Sequence, residues 1–420
     1  MKRPPAVAPR PYRMHNQIQH YAWGKRNGDA LIPALLGIDP EPGIPYAELW
    51  MGAHPKAPSE IELPDGTTVP LNEWIAAHPE ATLGPEVMAT YRELPFLLKI
   101  LSAAESLSIQ AHPTKAEAER LHALDPEHYP DTNHKPELAI ALDGLTALTG
   151  FKPFPELQEV LTRYPEIAEF VGAPVANAIL EAEDPTLEEQ KALARELFTA
   201  MIERAEADPD ALMAAVDKLV SRLTAWFEGL REVEIRFLEL QQRYGSRDIG
   251  LFALFLLNLI DLAPGEGLFT DAGVPHAYLS GNIIECMANS DNVVRVGLTP
   301  KFRDPQALLD IVDVTPKRPD ILSGHPQMDR GGMIRAVYET PAQEFEVHRW
   351  CLAPGTERDM EKGTGPAILL VIEGALDISW GDGHETFRQG EVVFLPACLP
   401  GYRVHARDGV EIFQADVPIG

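Results

Sequence analysis

The sequence predicts a mainly β protein with an α-helical insertion, built as two jelly-roll β-barrels and a helical domain. Short apolar runs broken by Gly, Pro and Asn fill the first and last parts of the chain, which is typical of short strands. Between about residues 155 and 262, apolar side chains recur at helical spacing instead. The length of 420 residues exceeds one small domain, and the 38 prolines and 31 glycines indicate many turns.

This change in texture gives the expected domain boundaries. The expected units are a discontinuous β domain of residues 12–154 and 263–332, a helical insertion of residues 155–262, and a C-terminal jelly roll of residues 333–420. Within the insertion, Thr186 and Glu189 have the spacing of a capping box at a helix start, and Asp208 with Pro209 ends that helix. The apolar run Leu251–Leu262 is shorter than the ~20 residues that span a bilayer, so we predict a buried helix.

The C-terminal region has the pattern of a small jelly-roll barrel of the cupin type. A strand, a Glu-Gly turn and a second strand occupy Ala367–Gly381, and GEVVFLPA follows at Gly390–Ala397. The histidines of this region are His348, His384 and His405, and none has a partner two residues further along its strand. No His or Glu fills the positions of a metal pattern, so we expect this barrel to hold no metal.

Charge and cysteine content narrow the classes of partner and compartment. The formal net charge of −27 disfavours binding to nucleic acid or to anionic membranes. Cys286, Cys351 and Cys398 are too few and too far apart for a disulfide framework, which predicts a reducing, cytoplasmic setting. The basic start lacks the apolar core of a signal peptide. No long apolar stripe is left over for an interface, so we expect a monomer.

A candidate metal site combines side chains from separate parts of the chain. Gln110 and His112 are two apart in the predicted strand SIQAH, which puts both on one face. Glu137 follows Pro136, and His276 stands after a turn in AGVPHAY. Two imidazoles, a carboxylate and an amide oxygen suit Zn²⁺ and leave room for a further oxygen ligand. Spacing alone is a weak signal, because a His after Pro is usually an ordinary loop residue. The stretch ending in His276 resembles the second metal-binding motif of cupin barrels.

Longer stretches carry a resemblance to a known family. They are YAWG (Tyr21–Gly24), YAELWMGAHPKAPS (Tyr46–Ser59), LPFLLKILSAAESLSIQAHP (Leu94–Pro113), NHKPELAIAL (Asn133–Leu142), GVPHAYLSGNIIECMANSDNVVRVGLTPKFRD (Gly273–Asp304) and the C-terminal jelly roll. In these stretches the chain resembles the type I phosphomannose isomerases. The resemblance covers nearly all of Tyr21–Ala415, and the stretch from Gly273 is the most specific part of it.

The resemblance implies a fold, a cofactor and an activity. It implies that Gln110, His112, Glu137 and His276 bind one zinc ion per chain. It implies that the discontinuous β domain is a catalytic cupin domain, with the helical block inserted into it. The implied reaction interconverts D-mannose 6-phosphate and D-fructose 6-phosphate through a cis-enediol(ate), with a proton moved between C1 and C2. The implied partner is therefore a small-molecule sugar phosphate.

Basic residues in the matching stretches stand out against the acidic chain. They are Lys99, Lys135, Arg295, Lys301 and Arg303, although Lys301 and Arg303 could also be ordinary surface charges. The resemblance implies that Arg295 reaches the reacting end of the sugar. It makes Ser108, Lys99, Lys135 and Lys301 contacts of the phosphate or sugar, since Arg and Lys both suit phosphate. The further substrate-binding residues that we predict are His54, Glu285 and Tyr278.

The identity of the proton-transferring base stays open at this point. The candidates are Lys135, His134, His54, Glu285 and Asp291. We favour Lys135 and Asp291 as acid–base groups, with Arg295 stabilising negative charge. Lys135 needs neighbouring cations or desolvation to lower its pKa, and Asp291 could equally be a turn residue.

Two other classes of function remain as alternatives. A non-enzymatic bicupin that binds sugars would need both barrels but not the dense set of cations beside the metal motif. A metal-dependent oxygenase would favour more imidazoles and iron, whereas an amide ligand such as Gln110 suits zinc better. We expect Trp23, Glu48 and Trp50 to shape the pocket wall as a core aromatic pair with a buried polar partner.

Overall fold

The computed structural model describes residues 4–225, 229–328, 331–361 and 363–419. About one-third of the chain is strand and about one-third is helix, so the prediction of a mainly β protein is only partly right. In the described residues, helices also lie outside the insertion, at Leu31–Leu36, Leu71–Ala77, Pro79–Thr90, Lys115–Leu124 and Pro305–Ile311. All but Pro305–Ile311 fall in the first part of the chain, where the sequence predicts strands with loops and a few helices.

The β-strands are β1 (Tyr12–His15), β2 (Gln17–Gln19), β3 (Lys25–Arg26), β4 (Pro45–Tyr46), β5 (Glu48–Gly52), β6 (Glu60–Glu62), β7 (Thr68–Pro70), β8 (Phe96–Ala103), β9 (Ile109–Ala111), β10 (Glu137–Phe151), β11 (Leu257–Leu262), β12 (Gly267–Thr270), β13 (His276–Ala288), β14 (Val294–Gly297), β15 (Ile321–Leu322), β16 (His325–Met328), β17 (Met333–Tyr338), β18 (Glu346–Leu352), β19 (Thr356–Glu361), β20 (Ala367–Glu373), β21 (Ala375–Trp380), β22 (Gly383–Arg388), β23 (Val392–Leu395), β24 (Gly401–Ala406) and β25 (Val410–Asp416).

The α-helices are α1 (Leu31–Leu36), α2 (Leu71–Ala77), α3 (Pro79–Thr90), α4 (Lys115–Leu124), α5 (Phe154–Arg163), α6 (Pro165–Val171), α7 (Ala173–Leu180), α8 (Leu187–Ala207), α9 (Pro209–Thr224), α10 (Glu232–Tyr244), α11 (Gly250–Leu256) and α12 (Pro305–Ile311), with a 3₁₀ turn at Asn27–Asp29. None of the helices in the described ranges is both long and apolar enough to cross a membrane.

The long strands β10 and β13 form the backbone of the first antiparallel sheet. Their register runs from Glu137 opposite Met287 to Thr149 opposite His276, with shifts near Gly144. Gly281 has a φ of 139°, and a Cβ there would lie 2.2 Å from the carbonyl oxygen of Gly144. A glycine is therefore required where the two strands bend together. Because both strands bend, residues from opposite ends of the pair can face each other across the interior.

The second large sheet joins the two ends of the chain. Its order is β16-β17-β18-β25-β20-β23-β1-β6-β7, so the N-terminal strand β1 pairs with C-terminal β23. A four-stranded sheet, β19-β24-β21-β22, shares an apolar core with the C-terminal part of this sheet. Two antiparallel sheets over one core agree with the predicted C-terminal barrel. The proposed domain boundaries stay a prediction, and the pairing of β1 with β23 shows that the sheet is continuous across them.

The helical insertion follows its predicted signals except at its end. The capping box is confirmed: the amide of Glu189 donates to Thr186 Oγ1 at 3.4 Å, and the amide of Thr186 donates to Glu189 Oε2 at 2.8 Å. The prediction of a single helix over Leu251–Leu262 is wrong for its second half. The helix ends at Leu256, and Leu257–Leu262 pairs with β10. A buried apolar run does not show its period, so strand and helix cannot be separated there from sequence.

Glu234 gives the helical insertion a pH-dependent stability. Its side chain is buried and accepts hydrogen bonds from Tyr164 Oη at 2.9 Å, Arg163 Nε at 3.0 Å and the amide of Arg231 at 2.7 Å. Burial alone would raise the pKa of Glu234, but these partners lower it below the usual value. A carboxyl whose pKa is lower in the folded than in the unfolded state stabilises the fold at pH values above its unfolded-state pKa. This stabilisation is lost as the pH falls through the folded value.

We therefore expect Glu234→Gln to lower the free energy of unfolding at pH 7 by about 1–3 kcal/mol. The gap from the unchanged protein should shrink as the pH falls below about 4.3, where an ordinary Glu protonates. Urea unfolding at pH 7, 5, 4 and 3 measures this difference. Glu232→Gln is the control, because Glu232 lies half-exposed on the same helix. A gap that stays constant down to pH 3 would contradict this role for Glu234.

Candidate active site

The four predicted metal ligands meet at the bend of the first sheet. Gln110 in β9 is the register partner of His276 at the start of β13. His112 follows the last residue of β9, and Glu137 is the first residue of β10. Although Glu137 and His276 belong to opposite ends of the β10–β13 pair, their side chains are in contact. The strand pair therefore curves enough to bring its two ends together.

Three of these side chains present ligand atoms without hydrogen-bond partners. His112 Nε2 lies 3.4 Å from Glu137 Oε1, and His276 Nε2 lies 3.2 Å from Glu137 Oε2. All three residues are at most 1% exposed, and His112 Nε2, His276 Nε2 and Glu137 Oε2 have no hydrogen-bond partner among the described residues. A tetrahedral zinc with bonds of about 2.0–2.1 Å separates its ligand atoms by roughly 3.3 Å. The spacing and the unpaired atoms therefore fit a zinc ion.

The backbone fixes both imidazoles in the tautomer that a metal requires. His112 Nδ1 lies 2.8 Å from the carbonyl oxygen of Asn292, and His276 Nδ1 lies 3.0 Å from that of Val274. A carbonyl only accepts, so each Nδ1 carries the proton and each Nε2 keeps a lone pair. Burial lowers the pKa of His112 to about 4. His112 is thus a neutral, correctly oriented ligand near neutral pH.

A cavity of about 670 Å³ opens beside these ligands, and several basic side chains line it. Of the predicted site residues, Ser108, Gln110, Lys135, Arg295 and Lys301 line it. Burial lowers the pKa of both Arg295 and Lys301, and each is a cation that faces the cavity. In a protein with a net charge of −27, this local excess of positive charge favours an anionic ligand.

Lys135 connects the cavity to the ligand cluster. Its Nζ lies 2.9 Å from Glu137 Oε1, and the side chain is 10% exposed. The ammonium group therefore touches the carboxylate that faces both imidazoles, and it also reaches the open cavity. Ser108 Oγ donates to Gln110 Oε1 at 3.4 Å on the neighbouring wall.

Lys99 and Glu285 lie behind the cavity wall and not among the residues that line it. Lys99 Nζ is 3.0 Å from Glu285 Oε2 and 3.7 Å from Glu48 Oε2. Burial would lower the pKa of Lys99, but the two carboxylates outweigh it and raise that pKa. Glu48 also accepts from Trp50 Nε1 and does line the cavity. Direct substrate contacts of Lys99 and Glu285 stay a prediction, and their observed contacts position Glu48.

Three more predicted residues also lie outside the cavity lining. Asp291 Oδ2 is 2.8 Å from Lys56 Nζ, with which it forms an ion pair, and 3.5 Å from His54 Nε2. Burial lowers the pKa of His54. Tyr278 is buried beside His276, with ring centroids 6.2 Å apart, and burial raises the pKa of its hydroxyl.

Asp131 is a positioning residue that the sequence analysis missed. Its Oδ1 accepts from Ser290 Oγ at 2.8 Å and from Asn292 Nδ2 at 3.0 Å, and its Oδ2 accepts from the amide of Asp291 at 2.8 Å. Asp131 therefore holds the turn whose Asn292 carbonyl orients His112. The available signal was its position just before the NHKPE stretch.

The cavity walls also include Tyr21, Trp23, Arg243 and Tyr244, of which Arg243 and Tyr244 come from the helical insertion.

Asp248 anchors the loop that carries Lys301. Its Oδ1 accepts from the amides of Gly250 at 2.8 Å and Leu298 at 2.7 Å, and its Oδ2 accepts from the amide of Thr299 at 3.2 Å. Leu298 has a φ of 56°, which is unfavourable for a branched side chain. These hydrogen bonds to a carboxylate hold the loop in that conformation.

We expect Asp248→Ala to raise the KM for the anionic substrate by about tenfold, because Lys301 loses its fixed position, a loss of about 1.4 kcal/mol. The free energy of unfolding should fall by about 1.5–3 kcal/mol, since hydrogen bonds to a charged group are lost. Steady-state kinetics and urea unfolding measure the two effects. Asp261→Ala is the control, because Asp261 is an exposed residue of β11 away from this loop. An unchanged KM in a destabilised Asp248→Ala protein would contradict the positioning role.

The C-terminal barrel holds a second ligand-like cluster, which corrects the sequence analysis. Glu346 lies two residues before His348 in β18, on the same face of the strand. Glu346, His348 and Asp416 present ligand atoms within 4.8 Å of one another. No partner stands two residues after His348, where Trp350 lies, but the search for a metal pattern overlooked Glu346. That this barrel holds no metal stays a prediction.

Comparison with known proteins gives one consistent family. The family model described as phosphomannose isomerase type I, catalytic domain, matches residues 12–154. Mannose-6-phosphate isomerase 2 of Arabidopsis thaliana is 37% identical over 417 residues, which cover 96% of this chain and 93% of that protein. Mannose-6-phosphate isomerase of Homo sapiens is 37% identical over 382 residues, which cover 88% of this chain and 89% of that protein.

Solved structures agree with these relatives. A phosphomannose isomerase variant from Salmonella typhimurium matches with a TM-score of 0.79 at 31% identity, covering 97% of this chain and 100% of that chain. A mannose 6-phosphate isomerase structure described as holo and zinc bound matches with a TM-score of 0.78 at 30% identity and the same coverage. The predicted resemblance is confirmed by sequence and by fold, and the chain belongs to the type I phosphomannose isomerases.

Proposed function

We propose that this chain is a zinc-dependent aldose–ketose isomerase that interconverts D-mannose 6-phosphate and D-fructose 6-phosphate. One observation carries the proposal: three buried, unpaired ligand atoms with zinc spacing adjoin a cavity lined by Lys135, Arg295 and Lys301. The relatives named mannose-6-phosphate isomerase and the zinc-bound structure of similar fold support it. The proposed substrate is a small sugar phosphate, whose charge suits this basic cavity.

The proposed metal ligands are His112, Glu137, His276 and Gln110, for one zinc per chain. The first three supply the closely spaced buried atoms, and Gln110 offers an amide oxygen at the cavity edge. Zinc, when bound, supplies Lewis-acid stabilisation of negative charge that develops on a substrate oxygen. The catalytic unit in this proposal is the β domain of residues 12–154 and 263–332.

Lys301 and Arg295 are proposed to have different roles, in phosphate binding and in charge stabilisation. Lys301 is proposed to bind the phosphate as a point charge, together with Ser108 as a hydroxyl donor. Arg295 is proposed to lie at the reacting end of the sugar, where its fixed guanidinium stabilises the cis-enediol(ate). Its partial burial strengthens this interaction, because less water screens the charge.

Proton transfer between C1 and C2 is proposed to use Lys135 Nζ. Lys135 is the amine that both lines the cavity and touches the ligand carboxylate. Asp291 remains the second proposed acid–base group, although its present partners are Lys56 and His54. The two alternatives are not favoured: a sugar-binding bicupin does not need this cation set, and an oxygenase site would have more imidazoles.

Turnover in deuterium oxide tests this function. Purified protein is incubated with mannose 6-phosphate, and fructose 6-phosphate is followed by enzymatic assay and by nuclear magnetic resonance. We expect product that carries solvent deuterium at C1, because the abstracted proton reaches a group that exchanges with solvent. Zinc removal should stop product formation. Binding of mannose 6-phosphate without any product would contradict the isomerase proposal and favour the binding-protein alternative.

A further inference from the structure

The C-terminal barrel contains a cavity of about 250 Å³ that no part of the proposed reaction uses. Its polar lining includes Arg335, Glu346, His348 and Asp416. Glu346 and His348 come from β18, Asp416 ends the neighbouring β25, and Arg335 comes from β17 on the other side of β18. Three adjacent strands therefore bring an imidazole, two carboxylates and a guanidinium together at one end of the barrel.

This cluster shares the nitrogen–oxygen spacing of the candidate zinc site, although it has one imidazole and two carboxylates in place of two imidazoles and one carboxylate. His348 Nε2 is 2.9 Å from Glu346 Oε2 and 3.5 Å from Asp416 Oδ2. In the catalytic cluster the corresponding distances are 3.2 and 3.4 Å. Both sets bracket the roughly 3.3 Å between ligand atoms of a tetrahedral zinc. The side chains of Glu346 and Asp416 are 34% and 24% exposed, so a cation from solvent can reach them.

The two clusters differ in the hydrogen-bond partner of the histidine Nδ1. In the catalytic cluster, each Nδ1 donates to a carbonyl and leaves Nε2 free for a metal. In the C-terminal cluster, Arg335 Nη2 lies 3.0 Å and Arg335 Nε lies 3.3 Å from His348 Nδ1. A guanidinium only donates, so Nδ1 accepts and the proton lies on Nε2, between the carboxylates. The positive charge of the Arg335 guanidinium also repels a divalent cation on the other side of the imidazole ring.

We propose that Glu346, His348 and Asp416 form a second site for a divalent cation such as zinc, which Arg335 keeps closed. Arg335 acts through the tautomer of His348 and through its own positive charge. Its position over Trp350, 5.0 Å from the ring centroid, holds the guanidinium there. The chain thus accepts a metal in the catalytic cluster and excludes it from a similar cluster in the other barrel. This proposal rests on the proposed function in one respect: the unchanged protein is expected to bind one zinc, in the catalytic cluster.

Metal content after removal of Arg335 tests this proposal. Full-length Arg335→Met, Arg335→Gln and Arg335→Met/His348→Gln proteins are dialysed to equilibrium against Zn²⁺, and bound zinc is measured per chain. We expect about one zinc per chain in the unchanged protein, about two in Arg335→Met and Arg335→Gln, and about one again in the double variant. Added zinc should raise the Tm of the Arg335 single variants above that of the double variant by mass action.

A second set of variants separates this proposal from the proposed function. Glu137→Gln impairs the catalytic cluster and should bind no zinc. The double variant Glu137→Gln/Arg335→Met should bind one zinc per chain, and a further His348→Gln substitution should remove it. The proposal is overturned if folded Arg335→Met and Arg335→Gln bind no additional zinc. It is also overturned if the unchanged protein already binds a second zinc that His348→Gln abolishes, because the site would then be open with Arg335 present.

Discussion

Glu137→Gln is expected to reduce kcat/KM for mannose 6-phosphate by at least about 10³-fold and to remove the bound zinc. Glu137 faces both His112 and His276 and is 2.9 Å from Lys135 Nζ. An amide keeps the volume but loses the negative charge that offsets a divalent cation and an ammonium group. The loss should therefore affect metal content and turnover together.

The measurement is zinc per chain and steady-state kinetics on the same protein sample. Glu127→Gln is the matched control, because Glu127 is an exposed carboxylate in the loop after α4. Saturating zinc should not restore Glu137→Gln, since a ligand and not only the metal is missing. A variant that keeps one zinc and more than a tenth of the activity would show that Glu137 is not a ligand.

Arg295→Ala is expected to lower kcat by about 10²–10³-fold, with a smaller change in KM. The expected effect is on kcat because the guanidinium interacts most strongly with the charge that develops on the enediol(ate) oxygens. Arg295→Lys should recover part of the loss, since a point charge remains but the forked donors do not. Bound zinc should stay at about one per chain in both variants, which separates this effect from metal loss.

Arg303→Ala is the matched control for Arg295. Arg303 belongs to the same stretch of sequence, but its side chain pairs with Glu206 at 3.3 Å and is 31% exposed. Its kcat should remain close to that of the unchanged protein. If Arg303→Ala and Arg295→Ala lower kcat equally, the effect arises from the net charge of the region and not from a specific guanidinium.

The sequence predicted which side chains form the site better than it predicted how the chain brings them together. Gln110, His112, Glu137 and His276 were identified from short motifs and the resemblance. Their meeting depends on the curvature of the β10–β13 pair, and a local pattern contains no information on that curvature. Strand periodicity states which face a residue occupies, but it does not state where the strand curves.

Residues that act through hydrogen bonds over long sequence distances were the hardest to predict. Asp131 orients the turn at Asn292, and Asp248 anchors the loop at Leu298, and both are ordinary acidic residues in sequence. Arg243 belongs to the helical insertion, from which no site residue was predicted, yet it lines the cavity. Glu346 was within reach of a sequence argument, because it lies at strand spacing from His348 on the side that was not searched.

The most direct test of a single catalytic zinc is a titration of metal-free protein. Protein stripped with a chelator receives increasing Zn²⁺, and the initial rate of fructose 6-phosphate formation is measured after each addition. Activity should rise linearly from a negligible value and reach a plateau at about one zinc per chain. Full activity in the stripped protein, or none after zinc binding is complete, would contradict the proposed role of the His112–Glu137–His276 cluster.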